Sequence, residues 1–166
     1  MKMGLSLALL FVLTASAAPA RAQAPPVLER LWTGIYTVIE AKMVDDPSAA
    51  IGKRLVSGAP TLQLATTRIP ARIGTRFGIQ FVFRGDKGTT VAYRTTWRYP
   101  ARGPTDPASG KTVYESTASR SIRVDDPAHS GHVFVFDWGL VPGRYVVEVW
   151  AGERKLIEQS FDVFLP

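Results

Sequence analysis

The stretch Arg76–Arg84 (RFGIQFVFR) repeats with a period of two, and that period admits one kind of backbone. Phe77, Ile79, Phe81 and Phe83 fall on one side, and Arg76, Gln80 and Arg84 on the other. Successive side chains of an extended chain point to opposite faces, whereas a helix would scatter these four apolar side chains around its circumference. Residues 90–99 repeat the pattern, with Val91, Tyr93, Trp97 and Tyr99 inward and Arg94 and Arg98 outward. Residues 85–89 turn the chain between the two runs. Paired as a hairpin, the runs would set Arg76 directly across from Arg98, a like-charge contact that costs stability. An arch between two packed sheets separates these arginines, so the arch is the expected arrangement.

The last third of the chain adds three more extended runs: residues 132–137, 144–150 and 154–164. The first two are apolar on both faces, as expected of strands covered on both sides. Phe134 and Phe136 oppose Val133 and Val135; Tyr145, Val147 and Val149 oppose Val146 and Trp150. Pro142-Gly143 suits a type II turn, and Gly152 supplies a second turn, so the three runs read as a meander. Earlier, residues 31–41 form an alternating strand bent at Gly34, and residues 61–67 form a short strand with Leu62 and Leu64 inward. Residues 52–58 are a connector or short edge strand. The Ser/Thr-rich residues 113–124 read as an edge strand. Val44-Asp45-Asp46-Pro47 and Val124-Asp125-Asp126-Pro127 are two uses of one strand-ending turn. Residues 100–111 form the longest loop and offer no core residue. Seven to nine short strands without helical periodicity make an all-β chain, a two-sheet antiparallel β-sandwich.

The N-terminus reads differently. Lys2 precedes an apolar run, residues 5–13, too short to span a bilayer, and Ala20-Arg21-Ala22 is a small-x-small cleavage site. The expected organisation is a secretory signal peptide over residues 1–22, a flexible leader over 23–30 and one sandwich domain over 31–166. The product is exported to the periplasm or beyond, with no membrane span. Cysteine is absent, which excludes disulfides, thiolate metal sites and thiol nucleophiles. Roughly 144 mature residues bury enough surface for a core alone to hold the fold. The formal charge is +6, and loss of Lys2 and Arg21 with the signal leaves +4. The 14 arginines and 6 lysines are scattered, so no nucleic-acid tract forms.

Candidate chemistry is sparse. Asp125, Asp126, His129 and His132 are the one group of metal-capable residues, with Asp137 beyond them, although their spacing fits no zinc motif. Arg94 and Arg98 on one strand face, with Arg102 in the next loop, form a candidate anion-binding stripe. Trp32, Tyr36, Trp138 and Trp150 are either core residues or aromatic platforms on a sheet face. There is no Gly-x-Ser-x-Gly, and the Gly-containing stretch at residues 74–78 leads into a strand, not a helix. The expectation is a non-enzymatic protein without a cofactor.

Several phrases together resemble a known family. They are TRIPARIGTRFG at residues 67–78, DWGLVPG at 137–143, EVW at 148–150 and KLIEQSF at 155–161. They resemble exported bacterial proteins catalogued as a domain of unknown function, DUF3859, over essentially the whole mature chain. The resemblance implies an immunoglobulin-like sandwich outside the cytoplasm; it carries no activity and no functional residues. The expected role is a binding or interaction module of the periplasm or envelope, its partner an envelope protein or an anionic glycan. One alternative is a metal-binding or metal-dependent hydrolytic protein using the Asp125–His132 turn. The other is a structural subunit of an envelope assembly, pairing through the edge strand at 113–124.

Overall fold

The computed structural model describes residues 26–39, 41–47, 49 and 52–166. The expected signal peptide and residues 23–25 of the leader lie outside them. Eleven strands occur among the described residues: β1 (Val27–Val38), β2 (Ala41–Asp45), β3 (Lys53–Ser57), β4 (Pro60–Leu64), β5 (Arg68–Pro70), β6 (Arg76–Arg84), β7 (Thr90–Arg98), β8 (Glu115–Arg123), β9 (Pro127–Val133), β10 (Gly143–Ala151) and β11 (Arg154–Phe164). A four-stranded sheet has the order β4-β1-β6-β9 and a five-stranded sheet the order β5-β11-β10-β7-β8; β2 and β3 form a separate hairpin. All pairings are antiparallel except the short β5, which runs parallel to β11. The fold is an all-β, immunoglobulin-like sandwich of two sheets.

The core follows from the period of two in β6. Phe77, Ile79, Phe81 and Phe83 are fully buried, facing Tyr145, Val147 and Val149 of β10 and Ile157, Phe161 and Val163 of β11. Phe77 is the hub. Its ring centroid lies 5.1 Å from that of Phe161, 5.5 Å from His132, 5.6 Å from Phe134, 5.7 Å from Trp97 and 5.8 Å from Tyr145. Most of these contacts are edge-to-face, the arrangement that sets a positive ring edge on a negative ring face. The arch expected between β6 and β7 is present, since they belong to different sheets. β8 is the free edge of the five-stranded sheet, as its weak apolar pattern suggests.

Four expectations need correction. The strand expected at residues 132–137 is instead β9, which stops at Val133 and belongs to the other sheet, beside β6. The chain therefore crosses between sheets through a short 3₁₀ turn, Asp137–Gly139, and the C-terminal meander reduces to the β10–β11 hairpin. The first strand starts at Val27, not Leu31, because Val27–Arg30 pair with Phe81–Arg84 of β6 and Glu29 bonds Arg84 at 2.8 Å. Leu64 is 57% exposed, not inward. The 100–111 loop does contribute to the interior, because Gly103 and Pro104 are buried.

Phe77→Ala should cost about 3–5 kcal/mol, because the ring fills a site that five neighbours cannot collapse into. Leu64→Ala should stay within about 0.5 kcal/mol. Urea unfolding of both variants checks the contrast; equal losses would mean that Phe77 is not the hub.

Candidate functional site

The two edge strands β8 and β9 are consecutive in sequence and lie in different sheets. They are joined by a tight turn in which Asp125 adopts a φ of 70°. At this side of the sandwich the inward positions carry small residues: Ser116 and Ala118 on β8, Ala128 and Ser130 on β9. Side chains of that size cannot fill the gap of about 10 Å between packed sheets. The result is a cleft of about 350 Å³. Trp97 and Tyr99 form part of its wall, His132 and Phe134 flank them, and Phe136 and Trp138 stand at the rim. The last two stack nearly parallel, 5.2 Å apart at 7°, with Phe136 40% exposed. The indole Nε1 of Trp97 donates to Ser130 Oγ at 3.0 Å, which locks wall to edge strand. Burial pushes the Tyr99 hydroxyl up to about 12, with a bond from Ser116 pulling the other way.

The cleft continues around β9 to the face turned from the core. There Gly34, Gly78 and Gly131 stand in register across β1, β6 and β9. This glycine row gives Tyr36 its place: a Cβ on Gly131 would lie 1.9 Å from the Tyr36 hydroxyl. Tyr36 packs against Trp32 at 5.5 Å and His129 at 6.4 Å. Burial raises its hydroxyl pKa to about 12, while the nearby Arg76 charge opposes that rise. Met43 and Lys53, from the β2–β3 hairpin, line the same end.

The electrostatics of the cleft are unbalanced. Arg76 Nε is buried without a hydrogen-bond partner, and Arg76 Nη1 donates only to the Gly74 carbonyl at 3.4 Å. Arg120, exposed on β8, borders the cleft, and its charge, after burial, helps hold the His129 imidazole below its usual pKa. Among the described residues no carboxylate lies within 4.0 Å of either guanidinium. Arg84, Arg94, Arg98 and Arg123 do have carboxylate partners; Arg84 bonds Glu29 at 2.8 Å and Asp125 at 2.9 Å.

The sequence-derived candidates are placed otherwise. Asp125 is held by Arg84, and Asp126 bonds Arg123 at 3.2 Å. His129 and His132 lie within β9, not at a turn, and alternation sends them to opposite faces. No group of three metal-capable side chains occurs among the described residues. The arginine stripe is neutralised by strands that its sequence neighbourhood does not reveal. Arg98 lies 3.3 Å from Glu115 and 3.6 Å from Glu148. Arg94 lies 4.0 Å from Glu153 and covers the Trp150 ring at 4.7 Å. Glu148 is 5% exposed. Burial pushes its carboxyl upward, but bonds from Trp150 and Lys155, with the Arg98 charge, outweigh this and lower its pKa. Arg102 is exposed in the 100–111 loop. That loop is tied by Asp106, which accepts from Ser109 Oγ at 2.7 Å and from the Ala108 amide at 2.9 Å. Of the four candidate aromatics, Tyr36 is buried and lines the cleft, Trp138 is half-buried at its rim, and Trp32 and Trp150 are half-buried elsewhere. Sequence reasoning missed Arg76, Arg120, Ser116 and Ser130. The available signal was the run of small residues at alternate positions of β8.

Comparison with known proteins places the chain. The profile of a family described as Domain of unknown function (DUF3859) matches residues 25–163. Among solved structures, an immunoglobulin-like protein from Pseudomonas aeruginosa aligns with a TM-score of 0.64 at 21% identity, covering 86% of this chain and 99% of its own. That likeness establishes the sandwich fold. A Pseudomonas fluorescens alkylpurine DNA glycosylase, AlkC, bound to DNA containing an abasic site analogue, aligns at a TM-score of 0.35 and 14% identity. It covers 58% of this chain and 27% of its own, too loose a likeness to bear on fold or function. No curated protein matches.

His132 makes the site acid-sensitive. Five aromatic rings surround it at 5.2–5.9 Å, and burial lowers its pKa to about 4. The unfolded imidazole binds a proton near pH 6.5, so the folded state resists protonation. The associated stability is complete above that value and is lost as pH falls from about 6.5 through about 4. Between pH 7.5 and 4.5 the loss should be about 2–3 kcal/mol. Urea midpoints of the wild type and His132→Phe across that window check it; parallel curves would remove His132 as the cause.

Proposed function

We propose that this chain, which belongs to the family described as a domain of unknown function (DUF3859), is an exported, non-enzymatic binding module whose ligand site is the cleft between β8 and β9. The single observation that carries this reading is Arg76, whose Nε is buried without a hydrogen-bond partner at an aromatic-walled cleft that the exposed Arg120 also lines. A packed sandwich closes its interior and pairs its buried polar atoms; an open cavity beside an unpaired one suits an occupant. Binding is favoured over catalysis by what the polar groups do. Ser130 Oγ accepts a bond from Trp97, and the His132 ring packs against five aromatic rings. Export rests on the signal-peptide pattern of residues 1–22. The edge of β8 is a weaker candidate for strand pairing with a partner, because Glu115, Arg120 and Arg123 charge it.

Titrating ¹⁵N-labelled protein with a fragment library should move the amides of Ser116, Ala118, Arg120 and His129–Phe134, and Ala118→Phe should abolish those shifts. Ligand-induced shifts confined to the opposite side of the sandwich would refute the assignment. Fractionation of expressing bacteria should recover a chain beginning at Gln23 outside the cytoplasm. A chain retained in the cytoplasm with Met1 intact would remove the export element.

A further inference from the structure

We infer that the cleft selects a small, ring-bearing organic carboxylate, its carboxylate held between Arg76 and Arg120 and its ring against the aromatic wall. This rests on the reading of the cleft as a ligand site and names the ligand class. Three cationic side chains, Arg76, Arg120 and Lys53, line the cleft. Lys53 has a partner in Asp45 at 3.5 Å. Asp46, the acidic residue in the lining, is itself engaged. Arg76 and Arg120 form no ion pair among the described residues. They act on adjacent groups: Arg76 on the Tyr36 hydroxyl and Arg120 on the His129 ring, and those rings are 6.4 Å apart. Both arginines line the cleft that Tyr36 and His129 also border.

A carboxylate is the anion that fits. It meets a guanidinium edge with two parallel hydrogen bonds, and no hydrogen bond holds the buried Arg76 Nε–H in place, so a turn of the side chain can offer that edge to a ligand. The rest of the lining sets the remainder of the ligand. Trp97, Tyr99 and the Phe136–Trp138 pair offer ring faces and edges, and Thr95 and Ser116 offer hydroxyls beside them. A volume of about 350 Å³ lies at the small end for ligand sites and suits one ring with its carboxylate. Two sources share this chemistry, a free aromatic acid and a uronic acid carried alone or at the end of a glycan.

The test uses the exported protein from Gln23, read by tryptophan fluorescence and thermal midpoint. The probes are benzoate and glucuronate, each paired with a neutral counterpart, benzamide and glucose. At least one acid should bind saturably and raise the midpoint, with its neutral counterpart weaker by about tenfold or more. Benzoate binding identifies the aromatic source and glucuronate the sugar source. Arg120→Gln and Arg76→Lys should each weaken the acid by about tenfold and leave the neutral compound unaffected, since the first removes the charge and the second the fork. Neutral compounds binding as tightly as the acids would overturn the carboxylate inference and leave the cleft reading standing. Silence from both acids at about 20 mM would also overturn it. Acid binding that survives Ala118→Phe would overturn the inference and the cleft reading together.

Discussion

The burial of the Phe77 ring between the two sheets is the contact on which the rest depends. The chain has no cysteine, so no covalent tie joins the sheets. Their attachment rests on apolar area removed from water and on ring-edge contacts. Phe77 brings the four-stranded sheet into contact with Trp97, Tyr145 and Phe161 of the five-stranded one. His132 and Phe134 join the same cluster where the chain leaves β9. An imidazole in that position is tolerated in its neutral form, because burial among the rings disfavours its charged form.

The cleft is the other end of this packing gradient. Near Phe77 large rings interlock and the gap closes. At the β8–β9 side the inward residues shrink to serine and alanine, and it opens. Charge follows the same division. On the outer face of the five-stranded sheet Glu148 gathers Trp150, Lys155 and Arg98 into one paired network. In the cleft Arg76 and Arg120 have no such partners among the described residues. What sets the cleft apart is the buried Arg76 Nε, which has no hydrogen-bond partner.

Local pattern was a good guide where burial is one-sided. The alternation of β6 and β7 named the core residues, and the repulsion expected between Arg76 and Arg98 selected the arch over the hairpin. Local pattern failed where pairing is remote. Residues 132–136 are apolar on both faces and look like a strand, yet Phe134 leaves β9 to join the hub and the Asp137–Gly139 turn redirects the chain. Arg94 and Arg98 looked free because Glu153, Glu115 and Glu148 come from other parts of the sheet. The glycine row is invisible in sequence, because Gly34, Gly78 and Gly131 become neighbours only once register is set. Arg76 was read as an outward charge on a strand; its isolation depends on the cleft formed by β8 and β9.

The order of strands in the two sheets has a kinetic consequence. β1 has no hairpin partner next to it in the four-stranded sheet; β6, its longest pairing, begins about 40 residues after β1 ends, so forming that pair requires closing a large loop. The parallel β5–β11 pair joins positions about 90 residues apart. Within the two large sheets, only the β10–β11 and β7–β8 hairpins can assemble locally, and both belong to the same sheet. A nascent chain delivered from its N-terminus can complete the four-stranded sheet once Val133 has arrived, but it has no complete five-stranded sheet and no closed hub until Phe161 follows. The sandwich forms late and as a whole, on the slow millisecond-to-second scale typical of non-local β architectures.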